Sequence, residues 1–233
     1  RQEKIKRSFL SLISHKLKTP LAAVIGFSEI LLDELDAQTT DPLTLKAVGS
    51  IHEQGAKVGD LVDKLLRYAV VESMDAVLDF QAVPVDEAVA EALKGLKDKI
   101  AAKKAQVDYL PAGLTLPLDR GLFVDMVKNL IENAVKFDPK QAPGVGVRVA
   151  AEGDWVALSV SDLGPGIPPE ALERVFSRFH QVEKDFTGQI DGMGLGLPFV
   201  KRVAELHGGR VDLRSKLGEG TTVTVTLPRK RPA

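Results

Sequence analysis

The 233-residue chain contains no cysteine, which excludes disulfide scaffolds, thiolate metal sites and cysteine nucleophiles together. It has no apolar run approaching the ~18 residues of a membrane-spanning helix. Its opening, Arg1-Gln-Glu-Lys-Ile-Lys-Arg7, lacks the form of a signal peptide. Nor is there an excess of one charge, since 31 basic residues face 32 acidic ones for a formal charge of −1. A globally basic nucleic-acid binder and an electrostatic membrane binder are thereby excluded, so no nucleic-acid partner is expected. The chain begins without Met, in what reads as mid-helix, and a piece of a longer protein is expected. What is present, 44% apolar and 27% charged residues, is ordinary for a folded domain. The length admits one large core or two modest ones.

The first seventy residues carry a helical signal. Val48, Ile51, Gly55, Val58, Val62, Leu65 and Ala69 recur at alternating spacings of 3 and 4, a heptad seam broken in size by Gly55. Leu10, Ile13, Leu17, Leu21, Val24, Ser28, Leu31 and Leu35 follow a similar rhythm. Between them Asp36-Ala-Gln-Thr-Thr-Asp-Pro42 is a polar turn, with Pro42 suited to the first turn of the next helix. The pattern predicts a helical hairpin. A lone hairpin leaves its apolar stripe half covered, and a second copy would complete a dimeric four-helix bundle.

Beyond residue 72 the period changes. Residues 77–85, 146–150, 155–161 and 221–227 alternate with period two, as half-buried strands do. Helical stretches are expected near 85–104, 119–137, 169–177 and 194–207. The order is not a regular βαβ alternation, so the class is α+β with a sandwich rather than a doubly wound sheet. The expected division is 1–72 for the hairpin, 73–78 for a linker and 79–229 for the second domain.

Several polar features stand out against this frame. His15, in Ser14-His-Lys-Leu-Lys-Thr-Pro20, lies ~200° around the helix from Ile13 and Leu17, so it points away from the seam. Thr19 shares its face, and Pro20 should bend the helix just beyond. Taken alone, this reads as a surface histidine beside an accidental kink. Asp162-Leu-Gly-Pro-Gly166 follows a period-two strand, and Gly192-Met-Gly-Leu-Gly196 opens a helix. Glycines let a backbone approach phosphate, and a helix N-terminus offers N–H groups and a favourable dipole. Either cluster alone also fits an ordinary turn, and neither has the spacing of a P-loop or a dinucleotide fingerprint. Asn129, Asn133 and Lys136 fall at i, i+4 and i+7 on one helix face. Amide oxygens suit Mg²⁺ and a lysine offsets phosphate charge, while Leu130, Ile131, Ala134 and Val135 already supply the core side.

In this order and spacing the segments resemble the boxes of two-component sensor histidine kinases. Ser14-His-Lys-Leu-Lys-Thr-Pro20 is similar to the H box and Asn129-Leu-Ile-Glu-Asn-Ala-Val-Lys-Phe137 to the N box. Asp162-Leu-Gly-Pro-Gly166 resembles the first glycine box, Val175-Phe-Ser-Arg-Phe179 the F box and Gly192-Met-Gly-Leu-Gly-Leu197 the second glycine box. Gly218-Glu-Gly-Thr-Thr222 resembles the closing strand motif. The resemblance covers nearly the whole chain.

It implies a dimerisation and phosphotransfer hairpin followed by a GHKL-type α/β sandwich that binds ATP with Mg²⁺. By similarity, Asp162 would receive the adenine amino group, with Thr221 or Thr222 beside it, and Phe137 would border the pocket. Asn133 would ligate Mg²⁺, Asn129 would assist at the phosphates and Lys136 would offset their charge. Gly164 and Gly166 would shape the first glycine loop. Gly192, Gly194, Leu195 and Gly196 would close a lid over residues 180–193, and Arg178 is a candidate γ-phosphate contact, with a surface ion pair as the alternative. His15 would be phosphorylated and would pass the group to an aspartate of a response-regulator receiver domain. Thr19 matches the position that assists dephosphorylation of that regulator. The implied setting is a cytoplasmic homodimer driven by an upstream sensor, with membrane attachment of a longer chain left open.

One position departs from the pattern. The residue after the phosphoacceptor is normally acidic, and here it is Lys16. General-base help is worth ~10²–10⁴ in rate. By similarity the N box approaches the histidine in this family, which makes Glu132 a candidate substitute base. The other reading of Lys16 is a dimeric ATP-binding scaffold with weak or no autokinase activity. His52 beside the seam and His207 before Gly208-Gly209 read as structural, the latter at a helix end.

Overall fold

The computed structural model describes residues 21–35, 41–72, 78–137, 142–178, 180 and 194–231. It divides into two compact units, residues 1–74 and 75–233. His15, Lys16, Thr19 and Gly192 lie outside the described residues, as does most of the expected lid.

In the first unit residues 21–34 form helix α1 and Pro42–Glu72 form α2. Asp41 starts α2: its Oδ2 accepts the Thr44 N–H at 3.1 Å and the Thr44 hydroxyl at 3.2 Å. With Pro42 next in line, this is the arrangement that satisfies a helix's first donors. The two helices approach through Gly55 and Gly59. A Cβ on Gly55 would lie 3.0 Å from Ile25 Cγ1, and one on Gly59 3.5 Å from Leu21 Cδ2. Ser28, 3% exposed, gives its hydroxyl hydrogen to Ile25 O at 2.7 Å and sits 3.3 Å from His52 Nδ1. The contact within the hairpin thus runs through His52, Gly55 and Gly59. The seam expected from the heptads is divided between two faces, because Ile51 and Val58, along with Val24, Phe27, Ile30 and Leu31 of α1, remain exposed.

The second unit opens with β1 (Phe80–Pro84), α3 (Val85–Gly95) and α4 (Lys97–Ala102). The predicted single helix over 85–104 breaks at Gly95–Leu96. Glycine is a poor helix former, and Leu96 leaves helical geometry with φ −107°. Next come β2 (Gln106–Leu110), β3 (Thr115–Asp119) and α5 (Arg120–Phe137). Then β4 (Gly144–Glu152), β5 (Trp155–Asp162) and α6 (Pro169–Leu172) follow, the last much shorter than the predicted 169–177. Finally α7 (Gly196–Leu206), β6 (Arg210–Lys216) and β7 (Gly220–Pro228) complete the unit.

β1 and β3 pair antiparallel as a two-stranded sheet. The other five strands form a mixed sheet in the order β2-β4-β5-β7-β6, parallel only between β2 and β4. One face carries the core. Val145 and Val147 of β4, Val156, Leu158 and Val160 of β5, and Val223, Val225 and Leu227 of β7 are all buried at alternate positions. Against them lie α5, through Phe123, Met126, Val127, Leu130 and Ile131, and α7, through Phe199, Val200 and Val203. Burying one such side chain contributes about 1.5–3 kcal/mol, so this interface positions the two helices firmly. Among the described residues no helix is long and apolar enough to cross a membrane.

Candidate functional site

Two places on α5 meet the glycine-rich segments. Near its C-terminal end, Asn129 and Asn133 face the start of α7. A Cβ on Gly196 would lie 3.3 Å from Asn133 Nδ2, 3.4 Å from Asn129 Oδ1 and 3.5 Å from Asn133 Oδ1. Asn129 Nδ2 donates to Asp125 O at 2.8 Å, which fixes the amide and turns its oxygen to the α7 side. α7 begins after Leu195, itself buried, with no side-chain cap on its first turn. Pro198 contributes no donor, so Gly196 and Leu197 supply the leading N–H groups. Gly194 has φ +65°, the left-handed conformation that glycine adopts without strain. A pair of amides opposite a bare, uncapped helix start is a cradle that a single methyl group would fill. Its donor set suits an anion with a hard cation beside it.

The second place is the end of β5. Asp162 and Thr221 are paired across β5 and β7 and share the pleat of the core-facing residues. Asp162 Oδ1 accepts the Gly164 N–H at 2.9 Å and the Thr221 N–H at 3.2 Å, so the carboxylate is oriented by backbone on both sides. The chain then folds tightly. A Cβ on Gly166, at φ +72°, would lie 2.1 Å from Lys216 O, and one on Gly164 would lie 3.3 Å from Phe137 O. Phe137 therefore borders this end of the sheet through its backbone, with its ring partly exposed and Lys136 Nζ 4.7 Å from the ring centroid. A shallow cleft of about 270 Å³ opens here, lined by Asp162, Ser215, Lys216, Thr221 and Thr222 among others.

The structure separates the two candidate threonines. Thr221 shares the Asp162 face, whereas Thr222 pairs with Ser161 and Arg214 on the opposite face of the sheet. Glu132 stands apart from the asparagine pair: its Oε1 receives the Lys99 ammonium of α4 at 2.6 Å. Arg178 is exposed at the end of the turns after α6. Among the described residues no three acidic or histidine side chains converge on a metal-sized site.

Sequence reasoning missed Lys99 and Ser215. Neither stands in a recognisable motif. His207 is buried at the end of α7. Its Nε2 accepts the Asp119 N–H at 3.0 Å and its Nδ1–H donates to Val203 O at 2.8 Å, so the neutral ring satisfies both partners. Burial pushes this imidazole below its usual pKa.

Two domain families match the chain in order. Residues 5–73 match the His Kinase A (phospho-acceptor) domain, and residues 119–231 match the histidine kinase-, DNA gyrase B-, and HSP90-like ATPase family. The sensor-like histidine kinase SenX3 of Mycolicibacterium smegmatis is 33% identical, over 98% of this chain and 59% of its own length. The histidine protein kinase DivJ of Caulobacter vibrioides is 37% identical, over 94% of this chain and 37% of its own. The chain thus spans less than two thirds of the relatives it matches. Among solved structures, full-length ShkA in complex with AMPPNP is similar with a TM-score of 0.76 and 28% identity. That likeness covers 97% of this chain and 46% of ShkA. With both domain families matched in order and the fold shared along nearly its whole length, the chain belongs to the two-component sensor histidine kinases.

Proposed function

We propose that this chain is a cytoplasmic kinase core that binds ATP with Mg²⁺, phosphorylates His15 and passes the phosphoryl group to an aspartate of a response-regulator receiver domain. The observation that carries the reading is the cradle formed by Asn129, Asn133 and the uncapped start of α7 at Gly196. It stands on the same helix whose end abuts the Asp162 loop, so one element addresses both ends of a nucleotide. Asp162 accepts the adenine amino group, Thr221 stands beside it and Phe137 borders the base. Gly164 and Gly166 give the loop its tight path. Asn129 and the N–H groups of Gly196 and Leu197 hold phosphate oxygens, and Lys136 offsets their charge. Gly192, Gly194 and Leu195 close the lid, with Arg178 reaching the γ-phosphate. Asn133 would ligate Mg²⁺, which when bound neutralises charge on the β- and γ-phosphates.

Phosphoryl transfer requires in-line positioning and charge neutralisation more than covalent work. A neutral His15 nitrogen attacks the γ-phosphorus, the bond to the β–γ bridging oxygen breaks, and ADP departs. The imidazole proton needs an acceptor, and Lys16 cannot be one. Glu132 takes it, with the Lys99 ammonium 2.6 Å away orienting the carboxylate. The exposed row of Val24, Phe27, Leu31, Ile51 and Val58 supports a homodimer, in which a second hairpin covers these side chains. Thr19 assists hydrolysis of the phosphorylated regulator on the same surface. A sensor upstream of the hairpin regulates the kinase.

Incubation with Mg²⁺ and γ-labelled ATP tests the reading. Acid-labile label forms on the parent and is absent from His15→Gln, and Lys16→Glu labels faster. ATP binding without any label on the parent would instead select the second reading, a dimeric ATP-binding scaffold, which Lys16 favours.

A further inference from the structure

Between residues 94 and 104 the chain carries Lys94, Lys97, Lys99, Lys103 and Lys104 against the single carboxylate of Asp98. In a chain whose formal charge is −1, this is a strong local excess of one sign. The segment spans the end of α3, all of α4 and the turn after it. All five lysines are exposed. Lys99 meets Glu132, whereas among the described residues the ammonium groups of Lys94, Lys97, Lys103 and Lys104 have no carboxylate partner. Lys104 has φ +51°, the left-handed conformation that glycine adopts most easily after a helix, so a cation stands where the backbone favours a residue without a side chain.

The segment is held against the helix that carries the asparagine cradle. Lys128 of α5 lies across Gly95, where a Cβ would be 2.7 Å from Lys128 Cε. One turn further on, Glu132 Oε1 receives Lys99 Nζ at 2.6 Å. Lys128 and Glu132 are the residues immediately before Asn129 and Asn133, so both attachments fall beside the amides that face the start of α7. Bond lengths then put the Lys99 charge within about 11 Å of Asn133 Cα, close to one Debye length in ~0.1 M salt. Lys128 and Lys99 are offset by Asp125 and Glu132, which leaves the four unpartnered lysines to set the sign of this flank. Such a flank acts on an anionic ligand before any contact forms.

We propose that the lysine-rich segment 94–104 is an electrostatic guide for the nucleotide: it draws the triphosphate towards the Asn129–Asn133 cradle and speeds the encounter with ATP more than with ADP. The inference rests on the ATP-binding reading above and adds to it side chains that do not touch the bound nucleotide. A guide of this kind works through its field, so it sets the association rate and the salt dependence of that rate while dissociation stays the same. ATP has one phosphate more than ADP and the larger negative charge, so it feels the larger pull.

The experiment follows mant-ATP and mant-ADP binding by stopped-flow fluorescence, with Mg²⁺ present and melting temperatures recorded alongside. It compares the parent with Lys94→Gln/Lys97→Gln/Lys103→Gln/Lys104→Gln and with the corresponding four-arginine variant. At an ionic strength of ~0.02 M the glutamine variant should bind mant-ATP about 10-fold more slowly, with a smaller loss for mant-ADP. The gap should close in ~1 M salt, where the Debye length is only ~3 Å. Dissociation rates should match the parent, and the arginine variant should keep the parent's association rates. Unchanged association in the glutamine variant would make the segment an ordinary solvated face and overturn the inference. Slowing that persists in ~1 M salt, or faster dissociation, would assign the lysines to local structure or to direct contact and overturn it equally. A parent that binds neither nucleotide would remove the underlying reading itself. If the glutamine variant does not fold, Lys94→Gln/Lys97→Gln and Lys103→Gln/Lys104→Gln should each show part of the salt-dependent slowing.

Discussion

A Cβ placed on Gly196 would lie 3.3 Å from Asn133 Nδ2, so the first residue of α7 and the asparagine near the end of α5 meet with no space for a side chain between them. The atoms concerned are ends of flexible side chains, which can yield by a few tenths of an ångström. Gly196→Ala should therefore fold normally, and alanine even favours the helix. Displacing the two amides should nevertheless weaken ATP binding about tenfold, comparable to losing one charge-assisted hydrogen bond. Calorimetry beside a thermal melt checks this; lost stability with retained affinity would contradict it.

His207 predicts a pH dependence. Folded, it is neutral and its pKa lies below the usual 6.5, through burial. The unfolded chain therefore binds the extra proton first as pH falls, and stability declines from about pH 6.5 downward towards the lower folded value. The slope can reach about 1.4 kcal/mol per pH unit within that window. Urea unfolding of the second unit at pH 7.5 and 5.5 should show the loss. His207→Leu should abolish this component while lowering stability at pH 7.5 by about 1–3 kcal/mol, because the Asp119 N–H loses its acceptor.

The hairpin offers a contrast between two glycines of one helix. A Cβ on Gly49 meets nothing within 4 Å, whereas one on Gly55 would press on Ile25 Cγ1 at 3.0 Å. Gly49→Ala should stabilise α2 by up to about 1 kcal/mol. Gly55→Ala should lose that gain to the displacement of Ile25. Melting curves followed by helical circular dichroism distinguish the two.

Glu132 and Lys99 can be separated by charge. If Glu132 accepts the His15 proton, Glu132→Gln should slow autophosphorylation by about 10²-fold with ATP affinity unchanged. Lys99→Met should slow the rate by a smaller factor than Glu132→Gln, because the carboxylate stays while the cation that orients it at 2.6 Å is lost. An unaltered rate in Glu132→Gln would leave the pair a surface tie, worth at most about 1 kcal/mol.

Much of this was legible in the sequence because the signals are strong and local. The heptads of α2, the Asn129–Asn133 spacing and the period-two runs of β5 and β7 each follow from one rule about helix or strand geometry. Three strands were not legible. Gln106–Leu110, Thr115–Asp119 and Arg210–Lys216 are short and carry proline or charge, and β2 and β6 lie at sheet edges, where one side of the strand needs no apolar partner. The division of the hairpin seam was hidden for another reason. A heptad lists which residues are apolar but not which helix each one meets, and Gly55 and Gly59 draw α1 to a flank that the pattern ranks as weak. Ser215 was invisible because the Ile167 N–H that it accepts lies 48 residues away in the sequence.

The histidine at the far end of α7 also has a mechanical consequence. His207 ties that end to Asp119, where α5 begins, while the opposite end at Gly196 is uncapped and faces the asparagines. At 1.5 Å per residue, the eleven residues of α7 make a strut about 16 Å long. Pinned at one end and loaded at the other, such a strut pivots rather than translates. A shift of about 2 Å at the glycine end is a tilt of only about 7° at the histidine, small enough for the packed core beneath to absorb.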